Sequence, residues 1–361
     1  MSTPPPSAGL SAAHLRLFWI AAALLAGGWL LSALSGALAP FLAAALLAYV
    51  GDPLVDKLES RGVRRSVGSA LVIVLSGLFF VGLVLSVLPL IIELSGRVAT
   101  RLPAMLTLLQ SEAAPWLFAK FGITLTLDLP HLTEFARQHA QELQALVTRL
   151  LGSLSDGGKA IAGLLMMAVL VPVVLYYLLV DWPLLLQRAD ELTPRRWHGE
   201  ARRLAGEVDQ VLGQFLRGQL MVMLILAAYY SLALAIAGVE FALPLGLITG
   251  LLIFIPYVGF SFGLILALLS ALLQDGGATP VIAVAAIYGG GQLIEGFVLT
   301  PWLVGDRIGL HPVAVIFALL AFGQLFGFVG LLLALPAAAC VLVGLRALRR
   351  RYLASSLYQS S

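Results

Sequence analysis

Residues 288–312 read YGGGQLIEGFVLTPWLVGDRIGLHP, and the rest of the chain is organised around them. They begin inside a hydrophobic run that carries one carboxylate, Glu295, with Gln292 about one helical turn before it. The hydrophobic run ends near Pro301. A loop that contains the charged pair Asp306 and Arg307 then leads to His311 and a further apolar stretch. An ionisable side chain away from the helix ends is rare in a bilayer and is suspected of function. Glu295 is therefore the first functional candidate.

The composition indicates that most of the chain lies in a membrane. Apolar residues make up 60% of the 361 residues and charged residues only 11%, and the mean hydropathy is +0.98. A soluble domain carries about 25% charged residues, and apolar runs long enough to cross a bilayer recur along this sequence. We predict an all-α polytopic membrane protein with about eight hydrophobic segments. The single cysteine, Cys340, excludes a disulfide within the chain.

The distribution of charge predicts the topology. Most Lys and Arg residues fall at Arg16, in the loop 51–65, in the segment 181–217 and in the tail, which places these parts and both termini in the cytoplasm. Within the first apolar stretch, 17–50, a reversal is predicted between Leu34 and Pro40. Helix starts are predicted at Asp181 and Thr193, each followed closely by a proline. The predicted parts are a disordered N-terminus (1–14), N-terminal transmembrane segments (15–92), an extracytoplasmic amphipathic helical segment (93–157), a transmembrane helix (158–180), cytosolic amphipathic helices (181–217), a transport core (218–345) and a basic cytosolic tail (346–361).

Two stretches of the core have an unusual length. Residues 241–273 and 313–345 are too long for one spanning helix and too short for two. The first breaks at IPYVG (255–259) and the second at FGQLFGFVG (322–330). By the charge distribution, the first enters from outside and the second from inside, so they are predicted to be re-entrant hairpins of an inverted repeat. The residues predicted to make the breaks are Pro256, Gly259, Gly323, Gly327 and Gly330.

Four polar side chains are candidates for a substrate or ion pathway. Glu295 either handles a proton or cation or pairs with Arg307 or snorkels to the cytosolic interface. Gln292 shares its face and either binds the same ligand or makes a hydrogen bond between helices. Gln324 lies inside the second break, and Tyr257 in the first either offers its hydroxyl to a substrate or packs at a turn.

The residues after the span are candidates for a motif or gate. Asp306 and Arg307 are expected to form a loop salt bridge or, less favourably, to take part in gating. His311 before Pro312 is more typical of a helix cap than of a metal ligand. The remaining members of this group are Pro301, Gly305 and Pro312.

The sequence favours transport over catalysis. It shows no ATP-binding motif, so transport is expected to be secondary or passive, and no nucleophile–base arrangement indicates an enzyme. No cofactor, no metal and no nucleic-acid partner are expected. The alternative within transport is a cation/proton antiporter. The alternative of another class is a channel-like or scaffold protein that binds partners through 93–157 and 181–217.

The run from Gln292 to Ala339, together with PVVLYYLLVD, FLRGQL and IPYVG, resembles the autoinducer-2 exporter family of bacterial permeases. The resemblance implies a multi-pass protein of the bacterial inner membrane that exports small polar molecules, with autoinducer-2 as the namesake, and that forms homo-oligomers. Some members are linked instead to exchange of sodium or lithium for protons. Where the family often has Asn, Pro and Asn, this chain has Ile253, Phe260 and Phe297. The positions that match the family motif are Glu295, Pro301, Gly305, His311, Pro312, Gly327, Gly330 and Pro336.

Overall fold

The computed structural model describes residues 12–108, 159–274, 278–304, 311–355 and 358, and these parts are helical with no strand among them. The helices are α1 Ala12–Glu59, α2 Arg65–Leu108, α3 Lys159–Leu192, α4 His198–Ile236, α5 Ala242–Leu252, α6 Val258–Leu273, α7 Ala278–Ile294 and α8 Pro312–Leu353. A π-helical segment, Glu295–Val304, continues α7.

Six of these elements are long and apolar enough to cross a bilayer. They lie at Ser32–Glu59, Arg65–Val98, Ala168–Leu192, His198–Ile236, Ala278–Leu303 and Pro312–Leu353. The helices α5 and α6, with 11 and 16 residues, fall short of the roughly 20 residues that a crossing needs. The prediction of an all-α polytopic membrane protein is confirmed.

The first predicted hairpin consists of α5, a break at residues 253–257, and α6. Its arms touch at backbone level, since a Cβ on Gly259 would lie 2.1 Å from the carbonyl carbon of Leu252. A Cβ on Gly263 would lie 2.2 Å from the Thr249 hydroxyl oxygen, so the two arms are still in close contact one helical turn further from the break. Hairpin 1, as we call residues 242–273, is thus folded back sharply, as the IPYVG break predicts.

The second predicted hairpin lies within α8, whose backbone is not helical at Gly327 (φ 60°, ψ −138°). In a straight helix, residues 322 and 330 would be about 12 Å apart. Here a Cβ on Gly330 would lie 1.8 Å from the carbonyl oxygen of Phe322, and one on Gly323 would lie 2.9 Å from the side chain of Leu331. The chain therefore reverses at Gly327, and α8 forms hairpin 2 although its length alone suffices for a span.

The two hairpins begin at opposite ends of α4. At the α4 N-terminus, the guanidinium of Arg351 binds Glu200. Beyond the α4 C-terminus, the Gln274 amide oxygen accepts from the backbone N–H of Glu240 (2.9 Å). Between these ends, residues of α4 and of both hairpins share one buried cluster, which contains Phe215, Leu216, Met223, Phe254, Ile255, Ala318, Leu319, Ala334 and Leu335. The hairpins thus enter from opposite sides and meet beside the middle of α4.

Helices α1, α2 and α3 pack beside this core and are joined by one arginine. Arg65, at the start of α2, binds the carboxylates of Asp52, Asp56 and Glu59 on α1. Its Nε also donates to the carbonyl oxygen of Leu179 on α3 (2.9 Å). A half-buried guanidinium with several acceptors fixes the relative positions of the three helices more firmly than one exposed ion pair could.

Two predictions about helix boundaries are wrong. The reversal between Leu34 and Pro40 does not occur, because α1 continues through Pro40 and Pro53. No helix starts at Asp181, since α3 runs on to Leu192. Membrane helices tolerate proline where neighbouring groups satisfy the freed carbonyl, so proline is a weaker stop there than in water.

The remaining boundaries differ in detail. Helix α2 extends to Leu108 instead of ending near residue 92, and α4 joins the predicted cytosolic helix to the next span without interruption. The helix after Thr193 starts at His198. Most of the predicted amphipathic segment 93–157, from residue 109 on, lies outside the described residues.

Candidate functional site

The turn of hairpin 1 forms one wall of the candidate site. Pro256 cannot donate a backbone hydrogen bond, and Tyr257 has a positive φ of 66°, so the helix cannot continue from α5 into α6. The carbonyl of Ile253, left free by this break, accepts a hydrogen bond from the Gln219 amide on α4 (3.1 Å). Gln219 thereby ties the hairpin turn to the middle of α4.

A cavity of about 270 Å³ lies between this turn and the C-terminal end of α7. It brings together three of the four predicted pathway residues, Tyr257, Gln292 and Glu295, with the predicted break residue Pro256. Gln292 and Glu295 are three residues apart and share one helix face, as their spacing predicts. The remaining lining residues are Ile253, Ile255, Phe260 and Ser261.

Glu295 lies where α7 changes from α-helical to π-helical geometry. Its Oε2 is buried and has no hydrogen-bond partner among the described residues. Pro301 lies inside the π-helical segment, so the helix continues to Val304 instead of ending at the proline. Proline removes an N–H and repels the carbonyl four residues earlier, and a widened turn accommodates both effects. Such π-helical turns occur frequently at functional sites.

Hairpin 2 does not reach this cavity. Gln324, the fourth predicted pathway residue, is exposed on the first arm of hairpin 2 and does not line the cavity. Gly327 supplies the turn, while Gly323 and Gly330 supply the close approach of the arms. The structure thus assigns geometric reasons to the three predicted glycines of this hairpin and places Gln324 apart from Glu295.

The predicted motif residues after the span are only partly described. His311 caps α8, because its Nδ1 accepts from the backbone N–H of Val313 (3.3 Å), and Pro312 occupies the first turn. Gly305, Asp306 and Arg307 lie outside the described residues, so the predicted salt bridge stays a prediction. Within the described ranges, no group of three or more His, Cys, Asp or Glu side chains could hold a metal ion.

Sequence reasoning missed part of the cavity and a second cavity. Ser261 is one helical turn after Tyr257, and that spacing could have identified it. A further cavity of about 170 Å³ lies between α1, α3 and α4. There Tyr49 donates to the carboxylate of Asp209 (2.7 Å) and its ring meets Trp182 edge-on. Its polar lining comes from helices distant in sequence, so no local pattern indicated it.

The comparisons with known proteins extend over nearly the whole chain. The model of the family described as AI-2E family transporter matches residues 18–350. PerM of Escherichia coli (strain K12), which carries the name of a permease, is 28% identical over 333 residues, covering 88% of this chain and 89% of PerM. MT0215 of Mycobacterium tuberculosis (strain CDC 1551 / Oshkosh), named as a transport protein, is 30% identical over 327 residues, covering 90% of this chain and 86% of that protein.

A third relative matches about half of each chain. YrrI of Bacillus subtilis (strain 168), also named as a transport protein, is 35% identical over 188 residues, which are 52% of this chain and 53% of YrrI. The six helices of spanning length and the two hairpins agree with these names. The chain belongs to the AI-2E transporter family and is a multi-pass membrane transporter.

Proposed function

We propose that this protein is a secondary transporter that exports a small polar organic molecule through the cavity at the turn of hairpin 1, with proton coupling at Glu295. The observation that carries the proposal is a cavity inside the helical core that holds the Glu295 carboxylate, one of whose oxygens is buried and has no partner among the described residues. Burial of an unpaired charge is costly, so such a group is retained where it binds a ligand or a proton.

The size and lining of the cavity favour a small organic substrate. Its volume of about 270 Å³ is below the ~300–1,000 Å³ of sites for drug-sized ligands. Ile253, Ile255 and Phe260 supply apolar surface, while Gln292, Ser261 and Tyr257 add polar groups. A few polar groups on an apolar wall suit a molecule with both carbon surface and hydroxyl or carbonyl groups.

Transport can be tested with autoinducer-2 as the first probe, since the family carries its name. Everted membrane vesicles that contain the protein are energised with an imposed proton gradient, and uptake of labelled autoinducer-2 is followed. We expect saturable uptake that a protonophore abolishes and that Glu295→Gln reduces at least tenfold. Glu191→Gln, at an exposed site near the end of α3, is the matched carboxylate control and should leave uptake unchanged.

Two results would each remove one part of the proposal. Uptake equal to that of vesicles without the protein would exclude autoinducer-2 as substrate, and a panel of small hydroxylated metabolites would then be screened in the same vesicles. Full, gradient-dependent uptake by Glu295→Gln would remove Glu295 from the coupling mechanism.

Cation/proton antiport is a second candidate, because Oε2 of Glu295, which has no partner in the described part of the chain, could also bind a cation. It predicts that sodium or lithium releases a preformed proton gradient in the same vesicles. The apolar residues Ile253 and Phe260 in the lining speak against it, since small cations prefer several oxygen ligands. Proton release by sodium or lithium without saturable metabolite uptake would favour the antiporter over the exporter.

A further inference from the structure

Two buried polar atoms in the helical core lack a hydrogen-bond partner among the described residues. They are the hydroxyl oxygen of Tyr230 on α4 and Oε2 of Glu295. Outside the core, the Ser69 hydroxyl of α2 is also buried without a hydrogen-bond partner among the described residues. Buried polar atoms in folded proteins are nearly all paired, so an unpaired donor near an unpaired acceptor requires an explanation.

The position of Tyr230 is fixed by its neighbours. Its ring is fully buried and stacks on Tyr288 of α7, with 4.6 Å between ring centroids and 28° between ring planes. Tyr288 is itself held, because its hydroxyl bonds to that of Thr249 on α5 (2.8 Å). The Tyr230 hydroxyl lies against Gly291, where a Cβ would be only 2.3 Å away from it. The hydroxyl is therefore held against the backbone of α7.

Gly291 is four residues before Glu295 and lies on the same face of the helix. Side chains of a helix lean towards its N-terminus, so the Glu295 side chain points back along the face that Gly291 leaves open. That is the face against which the Tyr230 hydroxyl lies. The donor and the acceptor that lack partners thus occupy adjacent turns of one face, and glycine at position 291 leaves the space between them free.

We propose that Tyr230 is the positioning residue for Glu295. Glu295 has two orientations: in one it lines the cavity, as in this structure, and in the other it rotates back to accept a hydrogen bond from the Tyr230 hydroxyl. The substrate and Tyr230 then compete for the same carboxylate, so occupation of the cavity releases Tyr230. The role of this pair in transport rests on the proposed function, whereas the pairing itself does not.

The pairing can be measured without transport. Infrared spectra of the purified protein are compared with those of Glu295→Gln, and the difference isolates the carboxyl bands of Glu295. We expect Tyr230→Phe to shift these bands, because it removes a donor while keeping the stacked ring. Tyr229→Phe is the matched control, since the Tyr229 hydroxyl donates to the carbonyl oxygen of Ile287 (3.0 Å) and should leave the bands unchanged.

Uptake in vesicles tests the functional consequence. Because the Tyr230 hydroxyl competes with the substrate for Glu295, Tyr230→Phe should lower the substrate concentration for half-maximal uptake about tenfold. In the Glu295→Gln background, the same substitution should change uptake less than twofold, as a double-mutant cycle of interacting groups requires.

The outcomes separate the two proposals. A band shift without any uptake would overturn the proposed substrate and leave the pairing intact. Unchanged Glu295 bands in well-folded Tyr230→Phe would overturn the pairing, whatever the uptake. A hydroxyl that is merely buried predicts this second result together with a more stable protein. If Tyr230→Phe is not monodisperse, the tyrosine C–O bands of Glu295→Leu are compared with those of the unsubstituted protein. Loss of the acceptor should shift one of these bands, and unchanged bands would overturn the pairing.

Discussion

The reversal of the chain at Gly327 makes Gly330 sensitive to the smallest substitution. A Cβ at this position would lie 1.8 Å from the carbonyl oxygen of Phe322 and 2.5 Å from its carbon, whereas real Cβ atoms essentially never come within 3.0 Å of such atoms. The obstacle is backbone, which cannot rotate away as a side chain does. The arms of hairpin 2 must therefore separate by more than about 1 Å in a close-packed core.

The expected loss of stability is large for one methyl group. Overpacking costs about 1–3 kcal/mol when side chains can yield, and a backbone obstacle places Gly330→Ala at the upper end of this range. We expect the melting temperature of the detergent-solubilised protein to fall by roughly 5 °C or more. Gly344→Ala, in the same arm and with nothing within 4 Å of its Cβ, is the control and should be neutral or slightly stabilising.

A disulfide experiment tests the same geometry directly. In a Cys340→Ser background, cysteines at positions 323 and 331 should oxidise to an intramolecular disulfide, because a Cβ at 323 lies 2.9 Å from the Leu331 side chain. In a straight helix these positions would be about 12 Å apart, too far for a disulfide. Two results together would refute the reasoning and show that α8 is a straight helix: equal melting temperatures of Gly330→Ala and Gly344→Ala, and a cysteine pair that stays reduced.

Three further predictions concern the hairpin 1 turn and the ion pair between Arg351 and Glu200. Gln219→Ala removes the donor to the Ile253 carbonyl and should raise hydrogen exchange at 253–257, measured by mass spectrometry, with a loss of about 0.5–1.5 kcal/mol. Tyr257→Gly relieves a positive φ that costs a non-glycine residue about 1–2 kcal/mol, so the protein should melt higher while vesicle uptake falls. Arg351→Ala breaks an exposed ion pair with Glu200 and should change stability by less than about 1 kcal/mol, a difference that high salt removes. A larger loss that does not depend on salt would show that this ion pair holds hairpin 2 in place.

The hairpins could be predicted from sequence because their causes are local. Proline restricts its backbone wherever it occurs and glycine permits a positive φ, so Pro256 and Gly327 indicate breaks without tertiary information. The lengths of the surrounding apolar stretches then indicate that the chain reverses at each break. The association of Glu295 with Gln292 is also local, since it follows from helical spacing. Tyr257 of hairpin 1 meets Glu295 at the cavity, whereas no described residue of hairpin 2 lines it, so the two broken segments do not enclose one site.

The features that sequence reasoning missed depend on tertiary packing. Pro40 ends a helix in water but not in α1, and no local pattern distinguishes the two cases. The partnerless hydroxyl of Tyr230 is likewise invisible in a run of apolar residues, because its significance comes from Gly291 on another helix. Gln324 shows the converse: its polarity within a break suggested a place beside Glu295, yet it does not line the cavity.

The two hairpins make their turns by different means, and the difference argues for where the ligand binds. Hairpin 2 turns at Gly327, for which a positive φ is not strained. Hairpin 1 turns at Tyr257, which is one of two non-glycine residues with positive φ in the described parts and the one that lines the cavity. Strained residues persist where function needs their side chains. A glycine would make the same turn without strain but would remove the aromatic ring and hydroxyl from the cavity wall. We therefore propose that hairpin 1 is the half of the repeat that contacts the ligand.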